Sequence, residues 1–307
     1  MKAKSFFIAS LGCAKNSVDS ESIASLLERD GFTLVGKPAQ AEVLIVNTCG
    51  FIQQARQESL EVLRDLAEKK KPGQLLIAAG CFSELYREKL AEEVKGIDGI
   101  IGTRRWMDMP DLVRALRSEP GQPHYHLPQS PTIGVDDQGV FRVSVQGSSA
   151  YLKVADGCRR PCAFCSIPLI KGTQVSRPIE DILRDAEHMQ EEGIRELILI
   201  AQDTTDYGSD LGMKDGLVHL LEELLPRVPA IPWIRIMYAY PGYVTDALID
   251  LMSGSPQIVP YLDMPLQHAS PQILRAMKRP ANMDWVRETI GKMRATIPVL
   301  ALRTTFI

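Results

Sequence analysis

Long apolar runs are missing from this 307-residue sequence. No stretch approaches the roughly 18 residues of a membrane-crossing helix, which argues against membrane insertion. The opening MKAKSFFIASLG has a short apolar run but no cleavage site, so it reads as a first strand rather than a signal peptide. A strong charge of either sign is missing too. The formal net charge of −3 lacks the basic footprint of a nucleic-acid-binding domain, and the pairs Arg104-Arg105 and Arg159-Arg160 read as solvated surface. No cysteine is left over for casual core packing: all six fall into two sets of three, Cys13, Cys49 and Cys81, then Cys158, Cys162 and Cys165. A disulfide framework does not suit a chain of this length without a secretory signal, so a reduced, cytoplasmic compartment is expected. With 45% hydrophobic and 24% charged residues the composition is that of a globular protein, and the length predicts about two domains.

The most informative stretch is GCRRPCAFCSIPLIK, residues 157–171. Cys158, Cys162 and Cys165 stand at C-x3-C-x2-C spacing, which lets three thiolates converge on one cluster. A closed zinc site takes four ligands, and the loop holds no fourth Cys or His. An iron–sulfur cube with one iron free of protein ligand fits better, with a zinc knuckle or unrelated thiols as the plain alternative.

From Ser5 to Trp106 short apolar strands alternate with amphipathic helices, which predicts an open parallel sheet ending at IDGIIGT. Asn16 reads as the cap of the first helix, with Asp19 three residues on. SLGC, VNTCG and AAGCF each place a cysteine at or just beyond a strand end. Carboxyl ends of parallel strands share one ligand-binding edge, so Cys13, Cys49 and Cys81 can meet despite separations of 36 and 32 residues. Gly12, Gly50 and Gly80 allow tight loops there. Packing as small hydrophobes is the ordinary reading for single buried cysteines.

Residues 117–148, rich in Pro, Gly and Gln, read as a linker with a hairpin around Asp137-Gln138-Gly139, and His124 and His126 as surface residues. After Ser149 the alternation resumes with five strands: YLKVADG, ELILIAQD, WIRIMYAY, YLDMPLQHA and LRTTFI. Gln202-Asp203, Arg235, Tyr238 and Gln267-His268 lie toward strand ends, which line the site in α/β barrels. Arg235 in an apolar strand needs an anionic partner, either a ligand carboxylate or a structural ion pair. Gln202 and Gln267 suit ribose or amino-acid contacts, or neighbouring backbone.

Cys-x-x-x-Cys-x-aromatic-Cys, with Phe164 as the aromatic, resembles the signature of the radical S-adenosylmethionine enzymes. Two tri-cysteine sets resemble the methylthiotransferases within them. SLGCAKNSVDSE, AQDTTDYG, MYAYP and YLDMPLQHASPQILRAMKRP look most like the branch that modifies small-subunit ribosomal protein S-twelve. The resemblance covers the whole chain. It implies a flavodoxin-like open parallel sheet over 1–116 carrying an auxiliary 4Fe-4S cluster on Cys13, Cys49 and Cys81. A linker over 117–148 and a partial (β/α) radical barrel over 149–307 follow, with a second 4Fe-4S cluster on Cys158, Cys162 and Cys165. Phe164, Gln202, Arg235, Gln267 and His268 are the candidate cofactor contacts. S-adenosylmethionine serves as methyl donor and as radical source, and the product is an aspartate methylthiolated at its β-carbon. The implied partners are that ribosomal protein, free or on the ribosome, an electron donor such as a flavodoxin, and a sulfur source. A tRNA adenosine methylthiotransferase and a non-catalytic iron–sulfur or zinc-binding protein are the alternatives. Relatives continue beyond Ile307 into a sixth barrel strand and a small β-barrel, so the chain is expected to be truncated after its fifth barrel strand, with both clusters ligated but turnover weak or absent.

Overall fold

The structure, a computed structural model, describes residues 4–128 and 138–307. The chain divides into two compact units. One holds residues 1–142 and 169–172, the other residues 143–168 and 173–307.

Six strands build the first unit: β1 (Ser5–Ser10), β2 (Thr33–Leu34), β3 (Val43–Thr48), β4 (Leu75–Ala79), β5 (Gly99–Ile101) and β6 (His124–His126). All their pairings are parallel, in the order β2-β1-β3-β4-β5-β6. A parallel sheet is covered on both faces, so its inner strands are rich in apolar residues, and β3 is buried at every position, Asn47 and Thr48 at its carboxyl end included. Successive residues serve opposite faces. Val43, Ile45 and Ile77 pack with Ile23 and Leu27 of the helix Ala14–Arg29 and with Leu112 and Val113 of Met109–Ser118. Leu44, Val46 and Leu76 pack on the other face with Leu63 and Leu66 of Gln53–Lys69 and Phe82 of Gly80–Tyr86.

Two expectations change here. The stretch 117–148 is not only a linker. Its residues 124–126 form β6, which pairs with β5 through Gly99↔His124 and Ile101↔His126. Three residues after a Pro-rich turn are too few to show a period, which hides this strand. His126 is also held, with its Nε2 2.6 Å from Asp108. The expected hairpin at Asp137-Gln138-Gly139 lies partly outside the described residues.

The second unit carries β7 (Val143–Gln146), β8 (Ser149–Lys153), β9 (Ala155–Asp156), β10 (Val175–Ser176), β11 (Glu196–Ile200), β12 (Trp233–Ile236), β13 (Ile258–Asp263) and β14 (Ala301–Arg303). Its main sheet runs β14-β13-β12-β11-β8-β7. The five strands expected from the alternation are parallel, and β7 adds to β8 as an antiparallel hairpin. Helices Ile179–Glu191, Gly216–Arg227, Asp246–Gly254 and Met283–Thr296 lie between successive parallel strands in the chain. Thr245 Oγ1 and Asn282 Oδ1 accept from Leu248 N and Trp285 N at the starts of the last two. The short antiparallel pair β9 and β10 brackets the cysteine loop in sequence. No helix among the described residues is long and apolar enough to cross a membrane.

Candidate functional site

In the first unit three loops leave the carboxyl edge of the sheet with one cysteine each. Cys13 occupies the N-cap of Ala14–Arg29, Cys49 follows β3, and Cys81 is the second residue of Gly80–Tyr86. Gly12 has φ +93°, and a Cβ there would stand 2.8 Å from Cys49 Sγ, so only glycine lets the first loop close on the second. Gly80, also at +93°, would put a Cβ 2.6 Å from the Thr48 carbonyl.

Asn16 is not the helix cap, because Cys13 takes that place without a side-chain bond. Its side chain crosses the edge instead. Asn16 Nδ2 reaches the carbonyls of Leu11 at 2.6 Å and of Asn47 and Thr48 at 3.2 Å, while Asn47 Nδ2 returns a bond to Asn16 O. Cys81 Sγ stands 4.0 Å from Asn16 Oδ1. One turn on, buried Asp19 receives Lys171 Nζ at 2.9 Å and Arg142 Nη2 at 2.5 Å, with the Arg142 guanidinium 3.9 Å above the Trp106 ring. Burial pushes the Cys81 thiol up to about 12 against the opposing charge of Lys171, and ionised Cys13 and Cys49 would raise it further. Burial raises Cys49 as well, with a further contribution from Cys13. Cys49 and Cys81 thus both feel the charge of Cys13.

In the second unit a single loop carries all three sulfurs, and each accepts a hydrogen bond. Cys158 takes the Arg160 N–H at 3.4 Å and Cys165 the Ile167 N–H at 3.5 Å. Cys162 faces side chains instead: Tyr240 Oη at 3.7 Å and Arg279 Nη1 at 3.6 Å. Ala163 N donates to Met277 O, which ties the loop to the end of the helix Pro271–Ala276. Burial pushes Cys158 up to about 11 and also raises Cys165.

Arg160 is no surface residue, being 7% exposed. Its Nε meets Asp203 at 2.6 Å, its Nη2 meets Asp206 at 3.1 Å, and its plane lies 3.5 Å from the Tyr243 ring centre. Arg159 grips Asp206 with two bonds of 2.7 and 2.6 Å. Arg104 is buried likewise and donates to the carbonyls of Leu169 and Ile170. Asp206, Tyr240 and Arg279 were not among the sequence candidates. The available signals were two aspartates three residues apart in AQDTTDYG and an arginine closing RAMKRP, both silent about partners dozens of residues away.

Arg235 resolves to the structural alternative. Its guanidinium pairs at 2.6 Å with Glu196, the first residue of the neighbouring β11, and lies 4.8 Å from the Tyr261 ring centre. That turns it from the carboxyl edge, and it is dropped from the cofactor contacts. Gln202 follows β11, and its buried Oε1 has no hydrogen-bond partner among the described residues. Gln267 has φ +71°, a strained value for a residue with a side chain, and its backbone bonds to Thr305 and Ile307. His268 Nδ1 accepts from Ser270 N at 2.8 Å. Phe164 is 47% exposed. Among the described residues no three His, Cys, Asp or Glu side chains are gathered closely enough for a single metal ion.

Residues 5–102 match the family model described as uncharacterized protein family UPF0004, and residues 152–307 match the radical SAM superfamily. Among curated proteins, the ribosomal protein uS12 methylthiotransferase RimO of Roseiflexus sp. (strain RS-1) is 44% identical, the alignment covering 98% of this chain and 67% of that one. Its namesake from Chloroflexus aurantiacus is 45% identical over 98% of this chain and 69% of its own. The chain thus spans about two thirds of these relatives. Among solved structures, the radical S-adenosylmethionine methyltransferase TsrM from Kitasatospora setae superposes with a TM-score of 0.69 at 12% identity, over 99% of this chain and 67% of that one. At that identity the likeness concerns the fold. On the strength of the two curated relatives and the radical SAM match, the chain belongs to the RimO-type methylthiotransferase family of radical SAM enzymes.

Proposed function

We propose that the protein inserts a methylthio group at the β-carbon of an aspartate of ribosomal protein uS12, with Cys13, Cys49 and Cys81 holding one 4Fe-4S cluster and Cys158, Cys162 and Cys165 the other. The observation that carries this reading is the pair of three-thiol sets, one in each unit and each on a loop edge. Thiol-only donor sets suit iron–sulfur clusters, and the donors found at Cys158, Cys162 and Cys165 suit thiolates. Bound there, the clusters supply the electron that generates a radical from S-adenosylmethionine and the sulfur to be transferred, chemistry beyond any side-chain base acting on an unactivated carbon.

The chain's own groups hold and shape the site. Gly12 and Gly80 bring the first three loops together, and Asn16 fixes their spacing. Arg160, clamped by Asp203 and Asp206, anchors the second loop from below. Gln202, Gln267, His268 and Phe164 are the proposed contacts to S-adenosylmethionine, with the orphaned Gln202 Oε1 free to accept from a ligand hydroxyl or amine. A cytoplasmic site of action, a flavodoxin-like electron donor and a separate sulfur source complete the proposal.

The test is anaerobic reconstitution with iron and sulfide, then incubation with S-adenosylmethionine and reductant on uS12 and, separately, on adenosine-modified tRNA. One methylthio mass gain on a uS12 aspartate peptide is expected. Methylthiolation of the tRNA alone would overturn the assignment of substrate.

A further inference from the structure

Cys158 and Cys165 accept hydrogen bonds from backbone N–H groups two residues along. Among the described residues Cys162 alone of the three has side chains from distant parts of the unit, Tyr240 and Arg279, within hydrogen-bonding distance. With Cys162 as a thiolate only the tyrosine and arginine can donate. Each lies just beyond a residue in the left-handed region: Tyr238, two residues before Tyr240, has φ +64°, and Lys278, immediately before Arg279, has φ +53°. Such backbone costs on the order of 1 kcal/mol or more per residue and persists where its surroundings impose it.

The surroundings do impose it. Thr204 N donates to Tyr238 O at 3.0 Å, Ala239 N to Asp263 O at 2.8 Å, and Tyr240 N to Thr205 Oγ1 at 3.1 Å. Arg279 N donates to Leu274 O at 2.8 Å, closing the helix end that also holds Ala163. The Arg279 guanidinium stacks 4.2 Å from the Tyr240 ring centre and donates to Pro265 O, while its buried Nε has no hydrogen-bond partner among the described residues.

We propose that Tyr240 and Arg279 are positioning residues that tune the reduction potential of the second cluster, by donating hydrogen bonds and a positive charge to Cys162. The inference rests on the cluster reading above. Donors and cations beside a cluster sulfur stabilise the more negative, reduced state, so removing them makes reduction harder.

The test is an EPR-monitored redox titration of the full chain carrying C13A/C49A/C81A, so that one cluster signals. Tyr240→Phe keeps the ring and removes the hydroxyl. It is expected to lower the reduction equilibrium constant about tenfold, which is about 59 mV for one electron. Arg279→Met should act at least as strongly, and Arg279→Lys, which keeps the charge, should recover part of the shift. Tyr243→Phe, beside Arg160 but without a contact to Cys162, should leave the potential in place. Unchanged potentials in Tyr240→Phe and Arg279→Met with full iron and sulfide would overturn the inference while leaving the cluster assignment standing. An equal shift in Tyr243→Phe, or loss of iron in Tyr240→Phe, would overturn it too, because a tuning hydroxyl is local and is not needed for assembly. Absence of any cluster dependent on Cys158 would remove the cluster reading and this inference together.

Discussion

The two cysteine sets differ in what brings them together. Cys158, Cys162 and Cys165 sit in one loop, and two of their sulfurs are served by the loop's own backbone. Cys13, Cys49 and Cys81 share nothing but a sheet edge, and a folded sheet with two close glycines is needed before they meet. One set is written in local spacing, the other in topology.

The largest effect expected from breaking this comparison is on iron. Replacing either set by alanine should lower iron from about eight to about four per chain after reconstitution, measured by iron and sulfide assay. Retention of all iron after loss of Cys13, Cys49 and Cys81 would make the first unit a scaffold only.

Next in size is Lys171→Ala. It strips the buried Asp19 of a paired cation and should destabilise the first unit by about 3–5 kcal/mol. Urea unfolding reads this directly, and iron at the first set should fall while iron at the second stays.

Gly80→Ala is smaller, about 1–3 kcal/mol of backbone strain plus whatever shift the Thr48 carbonyl makes. It too should weaken the first set selectively. Equal loss at both sets would show that the two depend on a common fold rather than on separate rules.

The smallest and finest comparison is alkylation of the metal-free chain at pH 8. Exposed Cys13 should label first, Cys158 with about one thiol in a thousand ionised more slowly, and Cys81 with about one in ten thousand last. Burial raises these thiols, so the reactive thiolate is scarce below their shifted values. Labelling of Cys81 should therefore rise about tenfold per pH unit until near pH 12. Mass spectrometry of timed samples gives the order, and early labelling of Cys81 would contradict its burial.

How much of this was legible beforehand follows from the range of the signals. The continuous apolar runs VLIV and LLIAA announce parallel strands because both faces are covered, and the sheet edge follows from them. Asn16 was misread because an asparagine near a helix start looks the same whether it caps the helix or bridges three loops. Arg160, unlike exposed Arg159, is not surface, because Asp203 and Asp206, 43 residues and more away, reach it once β11 lies beside β8. Arg235 needed a partner, and the sequence stated the need without saying that Glu196 meets it.

One consequence concerns how the gene could be divided. Lys171, a few residues past the second cysteine loop, belongs to the first unit, where its ammonium completes the buried charge cluster on Asp19. A recombinant fragment ending at Arg142 would carry every strand of the first sheet, yet it would expose a carboxylate to an interior that lacks one of its cations. The two halves are thus separate in architecture but not separable as clones, and shuffling first units among relatives should succeed only when residues 169–172 travel with them.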